Sequence, residues 1–363
     1  MQLTELLNVL EAIAPTRLAE PWDNVGLLVG DQAQDVASVM LTIDYTVEVA
    51  AEARQHGCDA IVAYHPPIFE PLKRIPGGSL IHDAIRRGVA IYSPHTALDI
   101  ADGGTNDMLA DVLGLGERQP LRISPGKATQ CKLVTFVPAS AADAVAAALF
   151  EAGAGRIGNY ACCSFRSPGT GTFFGQEGTA PTVGQAGQLE RVDELRIETV
   201  LPIDRLEPVI RALRASHPYE EPAFDLVQLA APPEGRGQGR AGKYPSPVDR
   251  PALIDRIKHE LGLSAVLVSG PMTGRVSRAA CCAGACGDLL NDALAQKADL
   301  YLTGEIRHHD ALKAAQRGMT VVCTLHSNSE RKVLARVAAR IQEALPGLAV
   351  LQSKQDRDPF VIL

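Results

Sequence analysis

SVMLTIDYTVEVAAEARQHGCDAIVAYH, residues 38–65, is the stretch on which the fold turns. It opens on an apolar run, Ser38–Asp44, and passes into a helical period over Val47–His56 that Gly57 closes. A second apolar run, Ala60–Tyr64, follows. The two runs are apolar at nearly every position instead of alternating, as expected of strands covered on both faces of a parallel sheet. Strand, helix, strand in this form is α/β grammar. Outward from it, Leu6, Leu7, Leu10 and Ile13 mark a helix stopped by Pro15, Leu80–Arg87 a helix ended at Gly88, Val89–Ser93 a strand and Asn106–Leu113 a helix.

The last third repeats the grammar. Helices are expected over Pro251–Leu261, Leu289–Lys297, His309–Arg317 and Ser329–Ala344, and strands over Ala265–Ser269, Arg278–Ala283, Asp299–Thr303 and Thr320–Leu325. The middle differs. Lys132–Phe136, Ala141–Ala152, a Gly/Ser/Thr-rich hairpin over Asn159–Phe174, Glu194–Leu201, Leu206–Ser216 and Phe224–Leu229 read as a ferredoxin-type α+β pattern. A Pro/Gly/Arg stretch, Ala231–Pro247, reads as the linker leading out. The expected organisation is an open α/β unit assembled from residues 1–128 and 233–363, split by an inserted domain at 129–232. Three independent domains in a row is the competing reading.

The chain has 363 residues, enough for two or three domains at roughly 150 each. Net charge is −7 without a basic block, and aromatics are 4%. Both weigh against direct nucleic-acid binding. No apolar run approaches the about 18 residues of a membrane span. The acidic start MQLTELLNVLEAIAP lacks the regions of a signal peptide, so a cytoplasmic location is expected. Eight cysteines, Cys286 among them, show no C-x-x-C spacing and read as small buried hydrophobes.

In open α/β sheets ligands sit beyond the carboxyl ends of the strands. Here those ends carry Asp44, then Tyr64-His65, then His95 and Asp99, then Glu305 with His308 and His309, then His326 and Glu330. Imidazole and carboxylate on one sheet edge form the ligand set of a divalent metal. Each residue also has a plain structural reading. His65 and His95 suit loop or turn hydrogen bonds, Asp99 an Asx cap, Glu305 a helix dipole and His309 solvent. Ser327-Asn328-Ser329-Glu330 fits a capping box. Gly103-Gly104-Thr105-Asn106-Asp107 reads as a plain glycine turn into a helix.

PWDNVGLLVG (Pro21–Gly30), AYHPPIF (Ala63–Phe69), YSPHTALD (Tyr92–Asp99), GGTND (Gly103–Asp107), DLYLTGEIRHHDAL (Asp299–Leu312) and LHSNSER (Leu325–Arg331) together resemble the Ngg-one-interacting-factor-three-like family. Its members are described as dinuclear-metal-centre hexameric proteins or GTP cyclohydrolase I type 2 homologues. FEAGAGRIGNY (Phe150–Tyr160), GTGTF (Gly169–Phe173) and HPYEEPAFD (His217–Asp225) are similar to the PII/CutA-like insert of its longer members.

The resemblance implies two metal ions facing the cavity of a toroidal homohexamer. One would be held by His65, Asp99 and Glu330, the other by His326 and the bridging Glu330. Tyr64 stands where the family has the first histidine of a pair, and a neutral phenol is a poor ligand. Tyr64 or water would complete the second site. His95, Asp44, Glu305 and His309 would lie around the metals, with Glu305, His309 and His95 as acid–base candidates.

Zinc, iron or manganese, one or two per subunit, suits the ligand set. The implied activity is metal-dependent hydrolysis of a nucleotide-like or other small substrate. The alternative is a non-catalytic, ring-shaped regulatory protein with protein partners.

Overall fold

The computed structural model describes residues 1–124, 130–230, 235–285 and 287–361. Met1–Ser124 and Gly235–Leu363 form one compact unit, and Pro125–Glu234 form another. The boundaries expected at 128/129 and 232/233 lie outside the described residues, as does Cys286.

The first unit is mixed α/β with two sheets where the sequence reading has a single open unit. One has five strands in the order Gly26–Val29, Ala90–Ser93, Ala60–Ala63, Ser38–Thr42, Ala349–Gln352. All pair in parallel except Gly26–Val29. The other has six, in the order Leu267–Ser269, Thr320–Cys323, Leu300–Thr303, Arg275–Cys282, Gly237–Asp249, Arg118–Ile123, with a parallel trio from 275 to 323.

Each half of the chain lends the other an edge strand. Ala349–Gln352 pairs with Ser38–Thr42, and Arg118–Ile123 pairs with Gly237–Asp249. One core runs through both halves, uniting Leu41, Val62, Leu109 and Leu113 with Ile257, Leu302, Val322 and Ile341. Burying each such side chain contributes about 1.5–3 kcal/mol, so neither half keeps its core without the other.

Local chemistry explains the helix ends. Thr46 and Ser79 cap their helices through Val49 and His82, and Gly88 closes Leu80–Arg87 in the left-handed region. Asp249 caps Arg250–Leu261, where Pro251 occupies the first turn.

Several expectations are corrected. Gly237–Asp249 is no linker but a 13-residue inner strand of the second sheet, between Arg275–Cys282 and the edge strand Arg118–Ile123. Its composition misleads because a buried guanidinium stands where an apolar side chain would. Arg240 is only 4% exposed and grips Asp107 (Nε to Oδ1, 2.7 Å) and the Gly237 and Gly239 carbonyls. Its glycines are there for contact: a Cβ at Gly237 or Gly242 would collide with the Arg122 or Glu117 carbonyl of the neighbouring strand.

The expected helix Ser329–Ala344 is two, His326–Glu330 and Val333–Ala344. Gly26–Val29, His95–Ile100, Arg118–Ile123 and Ala349–Gln352 are elements the periodicity does not announce. Four to six residues carry too little of it, and edge strands need none. The glycine turn at 103–107 is a structural helix entry: Asp107 accepts the Gly103 N–H and pairs with Arg240.

The second unit runs strand, helix, strand, strand, helix, strand. Its antiparallel sheet has the order Ser164–Phe174, Leu189–Pro202, Gln130–Pro138, Phe224–Gln228. Ala142–Glu151 and Leu206–Ser216 bury Val145, Leu149, Val209 and Leu213 against Leu133, Val137, Ile197 and Leu201. The expected hairpin over 159–174 is a single strand paired with Leu189–Pro202. His217 is structural: it accepts from the Tyr219 N–H at 3.1 Å and donates to the Phe136 carbonyl at 3.0 Å.

Of the seven cysteines among the described residues, five are buried: Cys58, Cys131, Cys281, Cys282 and Cys323. No helix among the described residues is long and apolar enough to cross a membrane.

Breaking a buried pair leaves an uncompensated charge. Arg118 Nε also pairs with Asp107 at 2.9 Å, so Arg240→Ala leaves that charge partly compensated and is expected to cost about 1–3 kcal/mol in urea unfolding. Burial works to raise the Asp107 carboxyl, but the Arg240 hydrogen bonds and charge outweigh it and hold it below its usual value. The pair's stabilisation is thus full above about pH 4 and fades as pH falls through the depressed value. Asp107→Asn is expected to remove that acid-sensitive component.

Candidate metal centre

The site forms where carboxyl ends of parallel strands from both sheets meet. Ala60–Ala63 delivers His65, and Thr320–Cys323 delivers His326 on the short helix His326–Glu330. One ligand atom from each of His65, His326 and Glu330 lies within 4.8 Å of the others. The Glu330 carboxylate is 3% exposed and lies between the rings: Oε2 is 3.3 Å from His65 Nε2 and Oε1 is 3.3 Å from His326 Nε2. His65 Nε2 and Glu330 Oε2 are buried without the alignment of a hydrogen bond. This overturns the capping-box reading of Glu330. Ser327 lies inside the helix and donates to Asp358.

The outer ring nitrogens are oriented by carboxylates. Asp44 sits 2.9 Å from His65 Nδ1, and a carboxylate only accepts, so Nδ1 carries the proton and Nε2 faces Glu330. Glu305 stands 3.6 Å from His326 Nδ1. Burial opposes charge on His65, but its hydrogen bond to Asp44 and the adjacent Glu330 and Asp44 carboxylates raise it to about 10. Hydrogen bonding to Glu330 raises His326, and the two imidazoles together hold Glu330 low against its burial. Without a cation, then, a proton on His65 occupies the place a cation would take.

Further residues shape the centre that sequence reasoning misses. Gly284 lies two residues past the strand Arg275–Cys282; a Cβ there would stand 2.8 Å from Glu330 Oε1 and 3.2 Å from His326 Nε2. Only glycine leaves that space open. Ser329 accepts the Gly284 N–H at 2.9 Å and donates to the His326 carbonyl at 2.7 Å. Asn106 bridges the Ala283 N–H and the Asp99 carbonyl, both at 3.0 Å. Asp23, inside the PWDN motif, is the acceptor for His95 Nδ1 at 2.7 Å. Asp23, Asn106 and Ser329 lie inside the quoted motifs PWDNVGLLVG, GGTND and LHSNSER, whereas Gly284 lies in none of them.

The other expected residues are placed as follows. Tyr64 is fully buried and directs its hydroxyl to Asp99 and to Thr105 (3.1 Å), outside the three-residue group. Burial and the Asp99 and Glu330 charges raise its phenol well above the ordinary value, so it donates a hydrogen bond as a neutral phenol. Asp99 lies in the helix His95–Ile100 with its carboxylate engaged by Tyr64, and burial pushes it up to about 6. It too is not one of the three. The His95 ring is 5.4 Å from that of His65, and His309 packs its ring on His308 at 5.3 Å. His95 and Leu325, the residue before His326, hold φ of 27° and 70°, strained values for residues with side chains.

Over residues 1–359 the sequence matches the family Duf34/NIF3 (NGG1p interacting factor 3). The chain belongs to the Duf34/NIF3 family. It is 39% identical over 317 residues to a Mycobacterium tuberculosis protein named GTP cyclohydrolase 1 type 2 homolog, covering 86% of this chain and 83% of that protein. A Bacillus subtilis protein of the same name is 34% identical over 369 residues, covering 99% and 98%. Among solved structures, a Bacillus cereus protein related to NIF3 superposes with a TM-score of 0.66 at 36% identity, covering 100% of this chain and 99% of that one. A Staphylococcus aureus protein does so with a TM-score of 0.74 at 27% identity and the same coverage.

In this Duf34/NIF3 chain the donor set fits a divalent cation. Two imidazole nitrogens and a carboxylate converge, two of the atoms are buried and unpaired, and a glycine keeps the space clear. His65→Ala, His326→Ala and Glu330→Gln are each expected to cut zinc or manganese affinity at least tenfold, and Asp44→Asn by about 10–100-fold through the freed imidazole. Elemental analysis of the dialysed protein reads both. Because His65 must shed a proton to bind, affinity is expected to rise with pH below about 10. Calorimetry in buffers of differing ionisation enthalpy would show the released proton.

Proposed function

We propose that this chain is a divalent-metal-dependent hydrolase acting on a nucleotide-like or other small substrate. The observation that carries the reading is the buried couple His65 Nε2 and Glu330 Oε2, 3.3 Å apart without the alignment of a hydrogen bond, beside His326 and the space that Gly284 leaves open. The names of the relatives point the same way, toward GTP cyclohydrolase-type chemistry. His65, His326 and Glu330 would hold the cation, with zinc, iron and manganese all compatible with the donors. When bound, it supplies Lewis acidity at the site.

The remaining work falls to protein side chains. Asp44 keeps the His65 lone pair aimed inward. Glu305, exposed beside His326, takes up a proton from the attacking water. His95, whose Nδ1 proton is held by Asp23, leaves Nε2 as a second proton acceptor and donor. Tyr64 holds Asp99 in place beneath them. His309 is the acid–base candidate with least support, since its contact is with His308.

The proposal includes a homohexameric ring, and the insert read as a ferredoxin-like, PII/CutA-like domain. Its strand–helix–strand–strand–helix–strand order and antiparallel sheet support the second point. A non-catalytic regulatory ring is the alternative, favoured by an insert cavity of about 650 Å³ whose lining includes Arg196, Tyr219 and Glu221 and none of the centre's residues.

The test pairs turnover with native mass. Cation-loaded protein is expected to hydrolyse members of a nucleotide panel including GTP. Glu330→Gln should lose turnover at least about a hundredfold while keeping the wild-type assembly. A variant that falls apart, beside a wild type that turns over nothing, would make the cation structural and favour the regulatory ring.

A further inference from the structure

The chain has one tryptophan, Trp22, and its side chain is 60% exposed. Phe69 beside it is 48% exposed, the ring centroids 6.0 Å apart and tilted by 57°. Neither ring belongs to a buried cluster. Large aromatics left in water on a loose loop are unremarkable, but these are held.

Asp23, next to Trp22, accepts from His95 Nδ1 at 2.7 Å, from the Thr96 N–H at 3.1 Å and from the Thr96 hydroxyl. The Glu20 N–H donates to Thr96 Oγ1 at 3.0 Å. Asn24 Nδ2 donates to the Ile68 carbonyl at 2.6 Å, which ties the Trp22 segment directly to the Phe69 segment. The pair also adjoins the metal centre. Trp22 meets the His95 ring edge-on at 6.1 Å, and His95 lies 5.4 Å from His65.

We infer that Trp22 and Phe69 form a platform that stacks the planar heteroaromatic ring of a nucleobase-bearing substrate and sets it beside His95. The inference rests on the hydrolase reading and narrows its substrate class. Stacking suits this place because every base has a π-face and an aromatic side chain binds it without a hydrogen-bonding partner. Two rings pinned through Asp23 and Asn24 lose little freedom when a ligand arrives, so more of the stacking energy appears as affinity. Trp22 acts here as a positioning residue, and the chemistry stays with the centre.

Because Trp22 is the sole tryptophan, red-edge excitation of the full-length, cation-loaded protein reports on it alone. GTP, ATP and UTP are expected to quench it saturably after inner-filter correction, and inorganic triphosphate to leave it unchanged. In equilibrium dialysis with labelled GTP, Trp22→Ala is expected to weaken binding about tenfold or more, and Trp22→Phe to recover most of it, at unchanged cation content and circular dichroism. Absence of quenching by all three nucleotides overturns the platform. So does an emission shift that follows protein concentration and not nucleotide, which would make the pair a contact between copies. Quenching without turnover upholds the platform and overturns hydrolysis of nucleotides. Metal-dependent nucleotide turnover that Trp22→Ala leaves unaltered overturns the platform and spares the hydrolase.

Discussion

A carboxylate buried between two imidazoles is the constraint on which the arrangement depends. Glu330 keeps its charge in a place with little water only because His65 and His326 face its two oxygens. Those histidines come from different sheets, so the two halves of the chain must meet in one register for the charge to be tolerated at all. The same junction is fastened around Glu330. Arg331, its neighbour, pairs with Asp356 at 2.5 Å, and Asp356 accepts the Ile43 N–H at 2.8 Å next to Asp44. Asn106 joins Ala283 to Asp99 from the other side. Strained backbone at His95, whose ring is held by Asp23, and at Leu325, next to His326, borders the same junction.

The exchange of edge strands supplies the rigidity this needs. With Ala349–Gln352 in the first sheet and Arg118–Ile123 in the second, neither sheet closes without the opposite end of the chain. Arg240 reinforces the exchange from within, since its strand pairs with Arg118–Ile123 while its guanidinium grips Asp107 on the helix Thr105–Leu113. A long insertion between the halves is tolerable in such a frame, because closing a longer loop adds only slowly to the entropic cost.

A proton and a cation are alternatives at this centre. Three donor atoms converge within 4.8 Å of one another, and the carboxylates on either side of His65 favour its protonated form in the chain alone. The outer carboxylates Asp44 and Glu305 keep the rings oriented in either state. Exposed aromatic surface beside such a centre, anchored through Asp23 and Asn24, gives it a direction from which a flat ligand approaches.

Much of this was written in local pattern. Helix Leu80–Arg87 is legible to the residue from its period and from Gly88, as is Leu206–Ser216 in the insert. The buried strands declare themselves by apolar runs, and strand ends point to His65, His326 and Glu330 because a sheet edge is where polar side chains can converge. Distance was not legible. Sequence alone left Glu330 between a capping box and a ligand, and left Tyr64 and Asp99 beside the metal.

Only the tertiary structure turned Tyr64 toward Asp99 and Glu330 toward the two histidines, because those choices depend on which buried charges find partners. It also made an inner strand of the glycine- and arginine-rich Gly237–Asp249 and a space-keeper of Gly284. Local sequence records propensity and period. It does not record which carbonyl, carboxylate or ring a distant segment will bring within reach, and that packing decides what each side chain does.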